Sequence, residues 1–377
     1  MVRETRAGET RVALVPELVA ELSALGYQVV VEPGAGRAAA VDDDEYSDAG
    51  ASIDADGLDG ADLVLSVQPL PPASVRRLRA GATTVSFLPV GQEPGLASDL
   101  RDRGLTGYAM ELVPRISRAQ SMDALSSQSL VSGYRGAVVA AGMLRRFFPL
   151  HMTAAGTVQP AQVVVLGTGV AGLQAIATAK RLGADVRAYD VRPSSAEEIR
   201  SLGAEAIDLG LAPLQGAGGY AREMTDERAE RQRELLTPYV AAADALITTA
   251  AVPGRTAPLL VTAAMVEQMK PGSVVVDLAA ESGGNVEGAL PGEVVRIGRA
   301  QVWGGRNVPG EMPGPASRLY ARNVVSLVTL LTRVGEDGPS LVPDFADEIV
   351  AGACVTHEGV IRHEPTRRAL AGGAERG

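Results

Sequence analysis

The chain reads as an α/β protein of two domains, each built on a parallel sheet flanked by helices. Three observations predict this. The 377 residues exceed what one core holds. Short β-branched runs alternate with helical patterns along most of the chain. One of these runs, Val163-Val164-Val165-Leu166, turns through glycines directly into a helical segment.

The elements follow in order. Near the N-terminus, Pro16 to Leu25 is a helix with proline in its first turn. Gln28 to Val31 is a strand and Asp42 to Ala49 a short helix. Leu63 to Val67, Thr83 to Phe87 and Thr106 to Met110 are strands, separated by helices at Ala73 to Leu78 and Gly95 to Arg103. Met122 to Phe147 is a long apolar helix, interrupted at Gly133, leading from the first domain into the second. After the glycine turn come a helix, Leu173 to Leu182, and a strand, Asp185 to Tyr189. Ser194 with Glu197 has the spacing of a capping box opening a helix to Leu202. Leu209 to Arg222 is a glycine-rich loop too long for a simple connector. Thr225 to Ala243 is a charged helix. Ala245 to Thr249, Ser273 to Leu278 and Ala300 to Trp303 are strands, and Ser317 to Arg333 is a closing helix. Strand-like stretches surround Cys354 and Ile361, and Ala369 to Gly377 reads as a disordered tail. The expected domains are residues 1–124 with 307–377, and 125–306, joined by the long helices.

Composition excludes several classes. The net charge of −10 argues against nucleic acid or an anionic membrane surface. The one cysteine, Cys354, forms no internal disulfide and suits a reducing compartment. No apolar run approaches the ~20 residues of a membrane span, and no secretory signal pattern is seen, so no direct membrane insertion is expected. Lysine (Lys180, Lys270) and histidine (His151, His357, His363) are scarce, which leaves few groups for acid–base chemistry. No metal site is expected.

The glycine turn carries the most information. Gly167, Gly169 and Gly172 have the GxGxxG spacing, between a buried strand and a helix, with Asp190 ending the next strand. That order is what a dinucleotide site of the Rossmann type requires. Gly167 permits the sharp turn, Gly169 lets backbone approach a pyrophosphate, and Gly172 lets helix and strand pack closely. The helix N-terminus presents free N–H groups to phosphate. Asp190 suits a ribose diol and repels a 2′-phosphate, so NAD is favoured over NADP, although Arg192 stands near enough to neutralise that repulsion. A second cluster precedes the long helix: Arg115, Arg118, Gln120, Ser121, Asp123, Ser126 and Gln128. Ser121 is placed to cap the helix, with Asp123 in its first turn. By itself this run is equally a capped helix start. Beside a nucleotide domain, it also suits contacts to a carboxamide and a ribose.

Taken together, these stretches resemble the NAD(H)-binding component of proton-translocating NAD(P) transhydrogenases and, more distantly, alanine dehydrogenases. The resemblance covers nearly the whole chain. It is carried by Gly8–Ala13 (GETRVA), Pro114–Ser127 (PRISRAQSMDALSS), Gly167–Ala175 (GTGVAGLQA), Gly218–Met224 (GGYAREM), Thr248–Gly254 (TTAAVPG) and Asp277–Asn285 (DLAAESGGN). It implies two Rossmann-like domains, the first of flavodoxin-like type. It implies that Arg115, Gln120 and Asp123 grip the nicotinamide, and that a mobile loop closes over the nucleotide with Tyr220. The expected cofactor-binding set is Ser126, Gly167, Gly169, Val170, Gly172, Asp190, Val191, Arg192, Tyr220 and Asn285. The expected reaction is direct hydride transfer between NAD(H) here and NADP(H) on a partner subunit, coupled to proton translocation by a membrane-spanning subunit. A homodimer on the inner face of the plasma membrane, held there by those partners, is implied.

The chain departs from the family in two places. The family's first apolar strand, ahead of the residues matching Arg3-Glu4, is represented by Met1 and Val2 alone, so the first sheet is expected one strand short. The resemblance also weakens across Asn307–Gly314. Two other readings compete. An amino-acid dehydrogenase needs a protonatable side chain beside the substrate carbon. The related enzymes use a lysine and a histidine in the first domain. The matching segments here, Leu65–Leu70 and Val85–Val90, contain neither, although Arg11 remains where the family binds a carboxylate. An NAD sensor without turnover would not need the Arg115, Gln120 and Asp123 set.

Overall fold

The structure, a computed structural model, describes residues 1–212, 225–251, 254–336 and 338–374. It divides into two compact units, Met1–Gln128 with Pro309–Gly377, and Ser129–Val308.

Along the chain, a 3-10 turn at Pro16–Leu18 leads into α1 (Val19–Ala24), β1 (Val30–Val31), α2 (Asp43–Asp48), β2 (Ser52–Ile53), β3 (Leu63–Leu65), α3 (Pro72–Arg77), β4 (Thr83–Ser86), α4 (Gly95–Asp102) and β5 (Thr106–Ala109). Helix α5 (Ala124–Met143) carries the chain into the second unit. There β6 (His151–Thr153) and β7 (Gly156–Val158) precede β8 (Gln162–Leu166), α6 (Val170–Arg181), β9 (Asp185–Tyr189), α7 (Ser195–Ser201) and β10 (Glu205–Ala206). Next come α8 (Asp226–Ala242), β11 (Ala245–Thr248), α9 (Ala263–Glu267), β12 (Val274–Asp277), β13 (Val294–Ile297) and β14 (Ala300–Gly304). The first unit is completed by α10 (Pro313–Leu331), β15 (Thr332–Gly335), β16 (Gly338–Leu341), α11 (Glu348–Ala353), β17 (Cys354–His357), β18 (Val360–Ile361) and α12 (Glu364–Ala374).

The second unit explains the near-continuous apolar strands. Its sheet has the order β10-β9-β8-β11-β12-β14-β13, parallel except where β13 runs antiparallel to β14. Both faces are covered, and the strand residues alternate between two cores. Val163, Val165, Ile247, Val274 and Val276 enter one core, and Val164, Leu166, Leu246 and Val275 enter the other. A strand buried on both faces needs apolar residues at every position. From β8 the chain proceeds outward to β9 and β10, then returns to β11 on the other side. The β8–α6 turn therefore lies at the point where the strand order reverses, where ligands bind in such sheets.

In the first unit, the sheet order is β18-β17-β5-β4-β3, and β1 and β2 form a separate parallel pair. The strands around Cys354 and Ile361 are antiparallel additions, so neither sheet is wholly parallel, contrary to expectation. Helix α10 packs on this unit through Tyr320, Val324 and Leu327, all fully buried. The Tyr320 hydroxyl donates to the carbonyl of Ser66 at 2.9 Å.

Four local expectations are corrected. Helix α5 is not interrupted at Gly133. A Cβ there would lie 2.1 Å from the carbonyl oxygen of Ala171, so the glycine permits a close passage, not a break. The helix is capped not by Ser121 but by Asp123, whose Oδ1 accepts from the N–H of Ser126 at 2.8 Å. Ser194 is helical in conformation and caps nothing. Thr225 does cap α8, accepting from the N–H of Arg228. The expected tail is helical to Ala374, because Leu370 packs against the core beside β18.

The first unit also buries acids at strand ends. Glu4 accepts from the N–H groups of Val67 and Gln68, at 2.5 and 3.2 Å, and Glu111 accepts from that of Leu88 at 2.9 Å. Loss of hydration pushes both carboxyls up to about 7, against the pull of those hydrogen bonds. A folded-state pKa above the unfolded value favours the folded state below the unfolded pKa, and the benefit is lost as pH rises through about 7. Glu4→Gln removes one such group. The melting temperature of the variant relative to wild type is therefore expected to rise between pH 5 and 8, measured by calorimetry at each pH. A constant difference would mean that Glu4 titrates normally.

Candidate functional site

The glycine turn has the geometry its spacing predicts. Gly167 has φ +90°, which favours glycine. A Cβ on Gly172 would lie 1.9 Å from the carbonyl oxygen of Gly167, so only glycine lets α6 start this close to β8. A Cβ on Gly169 would meet nothing within 4 Å. Gly169 is the N-cap of α6 and no side chain caps it, which leaves the first-turn N–H groups available to an anion. Gly169 and Val170 are exposed. A pyrophosphate fits this cradle.

Asp190 follows β9 directly. Its Oδ2 accepts from the N–H of Thr168 at 2.7 Å, and its Oδ1 from the N–H and Nε of Arg192 at 2.9 and 3.0 Å. Arg192 Nη2 also donates to the carbonyl of Thr168 at 2.8 Å. Burial alone would raise the Asp190 carboxyl, but the bonds from Arg192 and Thr168 outweigh it and hold the group below its usual range. Arg192, named as a possible neutraliser, is thus the acid's partner. Val191 between them is half-buried.

Asn285 does not face outward. It is fully buried, its Nδ2 donates to the carbonyls of Ala250 and Pro258, and its Oδ1 accepts from the N–H of Ala250. It fixes the segment after β11, where Thr249 donates to the carbonyl of Gly167 at 2.9 Å. The direct cofactor contact expected of Asn285 is corrected to a supporting one. Asp277, also fully buried, holds the same region by accepting from the N–H groups of Ala279, Asn285 and Val286 and from the Thr248 hydroxyl.

In the first unit, the Arg–Gln–Asp segment is a 3-10 turn, Ser117–Met122, running into α5. Asp123 is held on both oxygens by Ser126, through the backbone N–H and through the hydroxyl at 2.5 Å. Arg115 Nε stands 4.0 Å from Asp123 Oδ2. Arg115 and Gln120 are exposed. The segment is pinned from α10. Asn323 Nδ2 donates to the carbonyl of Ser121, and its Oδ1 accepts from the Ser127 hydroxyl, both at 2.7 Å. Asn323 escaped the sequence reading because nothing near it marks the contact. Tyr220 and the glycines at its side lie outside the described residues.

Arg11, with 5% of its side chain exposed, is sealed. Nε and Nη2 bond both oxygens of Glu9 at 2.8 and 2.7 Å, and Nη1 donates to Gln128 Oε1 at 2.8 Å. Gln68 donates to the same Glu9 carboxylate at 2.8 Å. Arg11 already holds a carboxylate, and the side chain beside it cannot carry a proton for chemistry.

Comparison with known proteins agrees across the chain. The N-terminal domain of the alanine dehydrogenase/PNT family matches residues 1–132, and its C-terminal domain matches residues 136–364. The chain is 46% identical over 372 residues to an NAD(P) transhydrogenase subunit alpha of Rhodospirillum rubrum, covering 96% of each. It is similar to the crystal structure of transhydrogenase from Sinorhizobium meliloti, with TM-score 0.86 and 42% identity, covering 96% of this chain and 98% of that one. An L-alanine dehydrogenase structure matches with TM-score 0.80 and 25% identity, covering 98% of each.

Proposed function

The chain belongs to the alanine dehydrogenase/PNT family, and we propose that within it the chain is the NAD(H)-binding subunit of a proton-translocating NAD(P) transhydrogenase. It is an oxidoreductase subunit. When bound, NADH supplies a hydride from its nicotinamide ring, for NADP+ held on a partner subunit. The observation that carries this reading over the amino-acid dehydrogenase one is the sealed Arg11. Its guanidinium is spent on Glu9 and Gln128, and Gln68 stands beside it. An amino acid would find neither a free cation nor a proton carrier there.

Hydride transfer between two nicotinamides requires neither. It requires rings held in contact and water kept out. The N–H groups at the start of α6 hold the pyrophosphate, and Asp190 accepts from the adenosine ribose. Asp123, locked by Ser126, and the exposed Arg115 and Gln120 orient the ring. Tyr220, from the glycine-rich loop, closes over the nucleotide. The partners are a second copy of the chain, an NADP(H)-binding subunit and a membrane-spanning proton-channel subunit. These hold the chain at the inner face of the plasma membrane. Among the described residues, no helix is long and apolar enough to cross a membrane.

The test is transfer from NADH to an NADP analogue with an added NADP-binding partner domain. Transfer is expected only when both proteins are present. Alanine-dependent NADH production by the pure chain would overturn the reading in favour of the dehydrogenase.

The Asp190–Arg192 pair leads to a cofactor prediction. NADH should bind more tightly than NADPH, because a 2′-phosphate meets a carboxylate. Arg192→Ala removes the cation that offsets this, and should widen the preference by about tenfold or more. Fluorescence titrations giving equal affinities for both nucleotides would refute the role of Asp190.

A further inference from the structure

The first unit contains a cavity of about 930 Å3. Protein interiors are close-packed, and a void of this size is far more than imperfect side-chain fit leaves. Its walls include β1 on one side and β3 on the other. These strands do not pair with each other: β1 pairs with β2, and β3 with β4. Each bonds instead to the first two residues of the chain. The Met1 nitrogen donates to the carbonyl of Val30 at 2.7 Å, and the N–H of Glu32 donates to the carbonyl of Met1 at 3.0 Å. That is the parallel-ladder pattern, with Met1 opposite Val31. On the other edge, the N–H of Val2 donates to the carbonyl of Leu65 at 3.4 Å. Met1 and Val2 thus occupy the final two positions of a strand lying between β1 and β3 and parallel to both.

The positions before them are the cavity. In a pleated strand, the N–H and C=O of one residue point the same way. The N–H groups of Val30 and Leu65 therefore turn toward the cavity, as do the carbonyls that already bond to Met1 and Val2. Two further features mark the space as made for something apolar and uncharged. The Tyr108 hydroxyl, in the cavity wall, is buried without a hydrogen-bond partner among the described residues. The amino group of Met1 is fully buried, and loss of hydration pulls it down to about 6. An amide N–H at that position would donate the same bond without a charge.

We propose that this cavity seats an extended apolar segment of about four to five residues, joined by a peptide bond to the nitrogen of Met1, as a parallel strand between β1 and β3. Met1 packs into the core that contains Leu22 and Leu331, and Val2 into the one that contains Val64 and Leu78. Alternate residues of the segment extend these same two cores, so it is apolar at every position. Its carbonyls and N–H groups complete the ladder on both edges, joining the β1–β2 pair to the main sheet. This inference is independent of the functional reading.

The test compares three full chains: the present one, one preceded by Met-Lys-Ile-Ala-Val, and one preceded by Met-Lys-Asp-Gly-Asp. Thermal unfolding and amide hydrogen exchange are measured on each. The apolar extension is expected to raise the melting temperature by about 5 °C or more. It is expected to slow exchange at Val30 and Leu65 by at least about tenfold, while the polar extension does neither. Equal behaviour of the two extended chains, or a loss of stability with the apolar one, would overturn the proposal. So would stabilisation by a free acetylated apolar peptide but not by the joined one, since that would make the slot a site for a separate chain.

Discussion

Gly169→Ala is expected to abolish NADH binding while leaving the fold intact, and Gly172→Val to damage both. The two glycines sit three residues apart in one turn, yet their surroundings differ. At Gly169 a Cβ has open space, so a methyl group disturbs nothing in the free protein. It would occupy the surface across which a pyrophosphate must approach the backbone, and a fall in affinity of about 100-fold or more is expected. At Gly172 the Cβ would sit 1.9 Å from the oxygen of Gly167 and 3.0 Å from Thr249 Oγ1, so backbone must shift. Overpacking of this kind costs about 3 kcal/mol. Fluorescence titration with NADH and thermal unfolding separate the two effects. If Gly169→Ala bound NADH as the wild type does, the turn could not be the pyrophosphate seat.

Gln120→Asn is expected to leave NADH affinity nearly unchanged and to reduce hydride transfer to NADP+ on the partner about 100-fold. The substitution keeps the amide and removes one methylene. Gln120 is exposed on the 3-10 turn, between Arg115 and the locked Asp123. With no proton to carry, its role is to set the angle of the ring, and small misplacement of reacting atoms lowers the rate steeply. Single-turnover kinetics with the NADP-binding partner are needed, so that product release does not hide the chemical step. Transfer at the wild-type rate would reduce the segment to a nucleotide clamp.

Much of the second unit was legible because its signals are local. A strand buried on both faces must be apolar throughout, and β8, β11 and β12 are. The glycine turn and the acid after β9 lie within one strand–helix–strand unit, so spacing alone conveyed their arrangement. The first unit was less legible. Its antiparallel strands β17 and β18 are short, and their direction depends on β5, far away in sequence. Gly133 was misread as a break because a glycine in a helix looks the same whether it bends the helix or admits a neighbour. The cap at Asp123 was misplaced by two residues for a similar reason: Ser121 and Asp123 are both good caps, and the choice depends on where the 3-10 turn ends.

By itself, then, the sequence determined the α/β class, the strand–turn–helix of the nucleotide seat, the acid beside it and the family to which the chain belongs. These rest on residues close together in the chain, where backbone sterics and burial leave few alternatives. Only the tertiary structure decided that Arg11 is closed off by Glu9 and Gln128, that Asn323 pins both ends of the Arg–Gln–Asp segment, and that Asn285 supports the site from within. Arg11 and Gln128 are 117 positions apart, and Asn323 and Ser121 are 202. Whether a buried polar group is free or spent depends on which partner folding brings to it, and no local pattern encodes a partner at that distance.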